Sequence, residues 1–137
     1  MVDPSLSGID TEKSAFSADR KFRKELSAGI TALALLSILS SSNEPMYGYQ
    51  IAKLMEEDDK QSVPLIKHGA LYPVLRSLEL NGLLSSRVEP SVAGPPRRYY
   101  VITEKGQETL QRWVTIWKRT RRLIDKILGG VPDDKTD

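Results

Sequence analysis

Apolar residues recur at helical spacing along most of this chain and give way once to strand-like alternation. In Gly69 to Leu84 (GALYPVLRSLELNGLL), Leu71, Val74/Leu75 and Leu78 follow one another at intervals of three and four, the period of one helix face. Pro73 is tolerated in a first turn, where its missing N–H costs nothing, so this helix is expected to begin near Gly69 or Ala70. Asn81-Gly82 supplies the left-handed backbone that stops a helix. Leu71, Leu75 and Leu78 are expected to face a core, and Lys67, His68, Tyr72 and Arg76 to face outward.

Upstream, Phe22, Leu26, Ile30, Leu33 and Ser37 predict a helix from about Arg20, apolar on nearly all sides between Ile30 and Leu39. Residues 1–19 are polar and read as a flexible N-terminal tail. Ser40 to Pro45 reads as a loop, with Met46-Tyr47-Gly48 leading into a second helix from Tyr49 to about Asp58. Its apolar positions are Tyr49, Ala52 and Met55 on one side, with Ile51 and Leu54 flanking. Gln61 to Lys67 is β-prone, but Pro64 limits it to an edge or a single bridge. Leu83 to Glu89 and Arg97 to Thr103 alternate as two strands around a proline-stiffened tip. Thr103 is placed to cap a last helix, Glu104 to about Leu128, with a stripe of Leu110, Trp113/Val114, Trp117, Ile124 and Ile127/Leu128, interrupted by Arg121. Such a helix outruns a small domain, and a second copy of the chain is the simplest partner for its far end.

The order of elements predicts a mainly α fold with a small β-wing. It reads as a winged helix-turn-helix domain over residues 20–103, a dimerisation helix over 104–128 and a flexible tail over 129–137. In that architecture the third helix enters a major groove and the hairpin lies beside phosphates or the minor groove.

Composition narrows the chemistry. The chain has 137 residues, 39% hydrophobic and only 7% aromatic, which suits one domain with a modest core. The net charge of +2 hides an asymmetry: residues 67–126 hold twelve Lys/Arg and five Asp/Glu, whereas residues 44–60 hold two and five. The C-terminal half is therefore the expected face for a polyanion. There is no cysteine, and His68 is the single histidine. Disulfides, thiolate nucleophiles, Cys- or His-based metal sites and histidine triads are excluded. No P-loop, dinucleotide-binding glycine pattern or HExxH is present, so neither an enzyme nor a cofactor is expected. Glu56 to Asp59 lacks the spaced oxygen ligands of a calcium loop and reads as a solvated charge run, leaving no metal site. The first 20 residues lack a signal-like apolar segment, and the ten-residue run Ile30 to Leu39 is too short to span a bilayer; a cytoplasmic protein is expected.

Four pieces in order, Met46-Tyr47-Gly48-Tyr49-Gln50-Ile51, Gly69-Ala70-Leu71-Tyr72-Pro73-Val74-Leu75, Leu78-Glu79-x-x-Gly82-Leu83-Leu84 and Gly94-Pro95-Pro96-Arg97-Arg98-Tyr99-Tyr100-Val101-Ile102-Thr103-Glu104-Lys105-Gly106, resemble the PadR family of transcriptional regulators over about residues 28–128. The resemblance implies a dimeric winged-helix regulator, usually a repressor, on a near-palindromic operator. The single C-terminal helix resembles the smaller of the family's two size classes.

The resemblance also implies roles. Tyr72 matches the recognition-helix tyrosine at the DNA backbone. Ala70 stands where the family often has Ser or Thr, and Lys67 and His68 are the candidates to replace that hydroxyl. Arg97 and Arg98 match the wing arginines; strand alternation sends them to opposite faces, so one is expected to meet DNA while the other faces elsewhere. Gly94 matches a wing-tip glycine, whereas Pro95 departs from the commoner basic or glycine residue. In some small PadR-like regulators a tryptophan from each chain lines a pore that accepts flat aromatic compounds. Trp117 lies at the matching place, and Trp113 and Trp117 are either such an effector site or ordinary dimer core. The alternative to a DNA-binding regulator is a winged-helix protein-interaction module that presents its third helix to a partner chain.

Overall fold

The computed structural model describes residues 4–56 and 66–129, with side chains from Lys13 onward. Its elements are α1 (Pro4–Ser41), β1 (Met46–Tyr47), α2 (Gly48–Leu54), α3 (His68–Leu80), β2 (Leu84–Glu89), β3 (Arg97–Ile102) and α4 (Glu104–Ile127). The strands form one antiparallel sheet in the order β1-β3-β2. Leu35, Leu36 and Leu39 of α1 meet Ile51 of α2, Leu71, Leu75 and Leu78 of α3, Tyr100 of β3 and Leu110 of α4 in a single core. The three α3 leucines are buried as their spacing predicts, and the mainly helical winged fold stands as expected.

Four boundaries differ from expectation. First, α1 is helical from Pro4, where a tail was expected up to residue 19. Residues 13–20 are exposed, so their helicity comes from good helix formers added to turns that the core already anchors; propagation needs no second nucleation. The segment Lys13–Ser41 is long and apolar enough, by length and composition alone, to cross a membrane. Its Thr31, Leu35, Leu36 and Leu39 are buried in the core. Second, α2 stops at Leu54 with Met55 as its cap, short of Asp58, because acids at a helix C-terminus oppose its dipole. Its buried positions are Gly48, Ile51 and Ala52, while Tyr49 is exposed.

Third, the extra strand is Met46–Tyr47, paired with Tyr100 and Tyr99. Of the Gln61 to Lys67 stretch, expected to form an edge or bridge, residues 61–65 lie outside the described residues, and Ile66 and Lys67 belong to no strand. Fourth, α3 starts at His68, so Pro73 falls in its second turn. The proline withholds the N–H that the Gly69 carbonyl would accept. Gly69 is exposed, and water can take that carbonyl.

The end of α3 locks onto the start of α4. Gly82 has φ +77°; its N–H donates to Glu79 O at 2.9 Å, and Leu83 N–H donates to Leu78 O at 2.9 Å, the paired bonds of a Schellman stop. Leu83 O then accepts from Thr103 N–H at 3.0 Å. Thr103 Oγ1 donates to Gly82 O at 2.7 Å and accepts from Gly106 N–H at 3.0 Å, which caps α4. Gly106 lies so close to this junction that an added Cβ would stand 2.2 Å from Leu83 O. Gly106→Ala is expected to lower stability by about 1–3 kcal/mol through overpacking, measured as an earlier midpoint in thermal or urea unfolding.

Candidate nucleic-acid interface

Leu71, Leu75 and Leu78 turn one side of α3 into the core, and the other side carries the polar residues outward. Lys67 is the N-cap, in extended conformation and without a side-chain cap bond. The hydroxyl missing at Ala70 is thus not replaced in capping by the Lys67 side chain. His68 opens the helix, and Lys67, His68, Tyr72 and Arg76 are all exposed. Tyr72 is nevertheless seated: a Cβ at Gly48 would lie 2.6 Å from its hydroxyl. A side chain in the first turn of α2 would push the tyrosine ring from this seat.

The wing places its two arginines on opposite faces, as alternation predicts. Arg97 stacks over the Tyr47 ring, 4.4 Å from guanidinium carbon to centroid, and Tyr47 meets Tyr99 edge-on at 5.5 Å. Such a cation–π contact fixes a guanidinium without consuming its donors. Arg98 lies on the other face. Its Nη1 donates to Ser86 Oγ at 2.9 Å, and Ser86 Oγ donates to Glu79 Oε2 at 2.6 Å. Arg98 is thereby tied to α3, one turn from Arg76. At the tip, Gly94 takes φ +108°, and Ser91 Oγ donates to Ala93 O at 2.9 Å.

Tyr100 lies beneath this face. Burial pushes its phenol above the ordinary 10.0; Arg98 pulls it down, Glu79 and Tyr72 push it up, and Arg76 pulls it down. Tyr72, Arg76, Glu79 and Arg98 thus share one electrostatic neighbourhood. Sequence reasoning singled out three of them and missed Glu79, whose only signal was its place in the Leu78-Glu79-x-x-Gly82 piece. Glu57 to Asp59 of the acidic run lie outside the described residues; among the described residues no three His, Cys, Asp or Glu side chains cluster as metal ligands.

Trp113 and Trp117 stand apart from this face. Trp113 is half-buried against the core and Trp117 is 40% exposed. Both line an open groove of about 480 Å³ between α1 and α4, with Leu26, Ile30, Leu33 and Ile116. Phe22 and Leu26, at helical spacing in the first half of α1, are exposed, and Leu26 lines this groove. The far end of α4 remains open, with Leu123, Ile124, Ile127 and Leu128 exposed.

The raised phenol of Tyr100 sets a pH dependence. Its contribution to stability is complete below pH 10.0 and is lost as pH rises through the folded-state value, because the unfolded chain deprotonates first. Unfolding free energy should therefore fall above pH 10.0, and Tyr100→Phe should flatten that fall in urea titrations.

Comparison with known proteins gives this geometry a family. The profile of the PadR-like transcriptional regulator family matches residues 35–112. A search of curated proteins finds no match. Among solved structures, a PadR family transcriptional regulator from Eggerthella lenta is 26% identical, with TM-score 0.60 over 88% of this chain and 97% of that one. A PadR-like transcriptional regulator from Bacillus cereus is 28% identical, with TM-score 0.57 over 74% of this chain and 94% of that one. A transcriptional regulator from Clostridium thermocellum is 29% identical, with TM-score 0.62 over 74% and 93%. With more than half of its residues under the family profile and a winged helix-turn-helix carrying an exposed, partly basic third helix, the chain belongs to the PadR-like family of transcriptional regulators and is a DNA-binding regulator.

Proposed function

We propose that the protein is a cytoplasmic repressor that binds a near-palindromic operator as a homodimer. The observation that carries this reading is the link between α3 and the wing, where Arg98 bonds Ser86 and Ser86 bonds Glu79, one turn from Arg76 on α3. In this reading α3 enters the major groove. Lys67 and His68 lie at its leading end, Tyr72 meets the backbone, and His68 and Arg76 reach base edges. Arg97 and Arg98 lie on opposite faces of the wing, so one of them engages phosphates while the other faces elsewhere.

The second copy pairs through α4 and the groove beside it. Support comes from the apolar, exposed end of α4 and from the open groove that reaches Trp113 and Trp117. A flat aromatic effector stacked on these indoles would release the operator by changing the angle between the two copies.

Fluorescence anisotropy with the DNA upstream of the protein's own gene tests the DNA reading. Binding should weaken with salt, each phosphate contact adding about 0.9 to the slope of log affinity against log salt. Arg97→Ala or Arg98→Ala should lower that slope by about one, an unchanged slope in both rejecting the wing assignment, while Arg76→Ala should change the motif recovered by selection from random DNA. Absence of salt-sensitive binding by the wild type favours the protein-interaction alternative. Sedimentation should give twice the chain mass, and planar aromatic compounds should quench wild-type tryptophan fluorescence but not that of Trp117→Ala.

A further inference from the structure

We infer that Glu79 and Ser86 form a positioning relay that presents Arg98 and sets the angle of the wing against α3. The inference rests on the DNA-binding reading above and deepens it. The relay draws one residue from each of α3, β2 and β3. The Ser86 hydroxyl accepts from Arg98 Nη1 at 2.9 Å and donates its one proton to Glu79 Oε2 at 2.6 Å. Charged partners at both ends make these hydrogen bonds stronger than neutral ones. The guanidinium has five N–H donors, so the bond to Ser86 leaves others for a phosphate.

Its place in the hairpin gives the relay its function. Leu84 and Tyr100 bury the base of the wing in the core, whereas no residue from Arg87 to Arg98 is buried. Ser86 pairs with Tyr100 across the strands, so the relay fastens the hairpin where it leaves the core. A wing held at a fixed angle has already lost the freedom that binding would otherwise take away.

The relay also accounts for an acid on a face read as DNA-binding. Tyr72, Arg76 and Glu79 follow at helical spacing, and a bare carboxylate there would repel phosphates. This gives a test whose sign discriminates. If Glu79 were a bystander, Glu79→Ala would tighten DNA binding. The relay requires Glu79→Ala and Ser86→Ala to weaken binding, by roughly three- to ten-fold, the equivalent of one lost hydrogen bond. Ser86→Thr, which keeps the hydroxyl, should bind like wild type.

The measurement is anisotropy on a duplex selected from random DNA by the wild-type protein, with an unrelated duplex in parallel and circular dichroism to establish folding. The loss should be greater on the selected duplex, and Ser86→Ala should leave the salt slope unchanged because it removes no charge. Wild-type binding with Glu79→Ala as tight or tighter, or with Ser86→Ala unchanged, overturns the relay alone. Failure of the wild type to bind any duplex overturns the DNA-binding reading and the relay with it.

Discussion

The carbonyl of Leu83 is the point through which the three working parts of this protein are joined. It accepts the N–H of Thr103, and Gly106 is packed against it so closely that no side chain fits. The stop of α3, the base of the wing and the cap of α4 are therefore a single hydrogen-bonded knot. Thr103 donates to Gly82 O and accepts from Gly106 N–H, and Lys105 Nζ donates to Asn81 O at 3.0 Å. Each bond alone contributes only about 1 kcal/mol. Their value lies in geometry: α3 cannot turn about its axis without moving both the wing and α4.

The core built on this junction is small and leaves much apolar surface uncovered. Among the described side chains, α1 has its buried side over Thr31 to Leu39, and α4 over its first turns to Leu110. Beyond them the two helices continue side by side with an apolar groove between them. The α3 face and this groove lie apart, one polar with Tyr72, Arg76 and Glu79, the other apolar with Leu26, Ile30, Leu33 and Ile116.

Most of the fold was legible in the sequence because its signals are local. The leucine spacing of α3, the Asn81-Gly82 stop, the Thr103 cap and the alternating hairpin act within a few residues. β1 was illegible because its two residues carry no alternation; its partner is a strand more than fifty residues away, and only pairing defines it. The start of α3 was displaced by one residue because an exposed carbonyl can lose its donor to Pro73 at little cost. The first turns of α1 carry no apolar stripe, so nothing in the pattern set them apart from a tail. For the site, alternation gave opposite faces for Arg97 and Arg98, but their partners Tyr47 and Ser86 follow from strand register, which spacing alone does not reveal.

The ring of Tyr72 resting on Gly48 makes those two positions one unit. An enlargement at the head of α2 displaces the exposed Tyr72 ring unless α3 carries a smaller group there, and the converse exchange would open room at position 48 for a side chain aimed at the same surface. The outer surface of α3 then extends across the joint with α2, with glycine and tyrosine coupled as a pair.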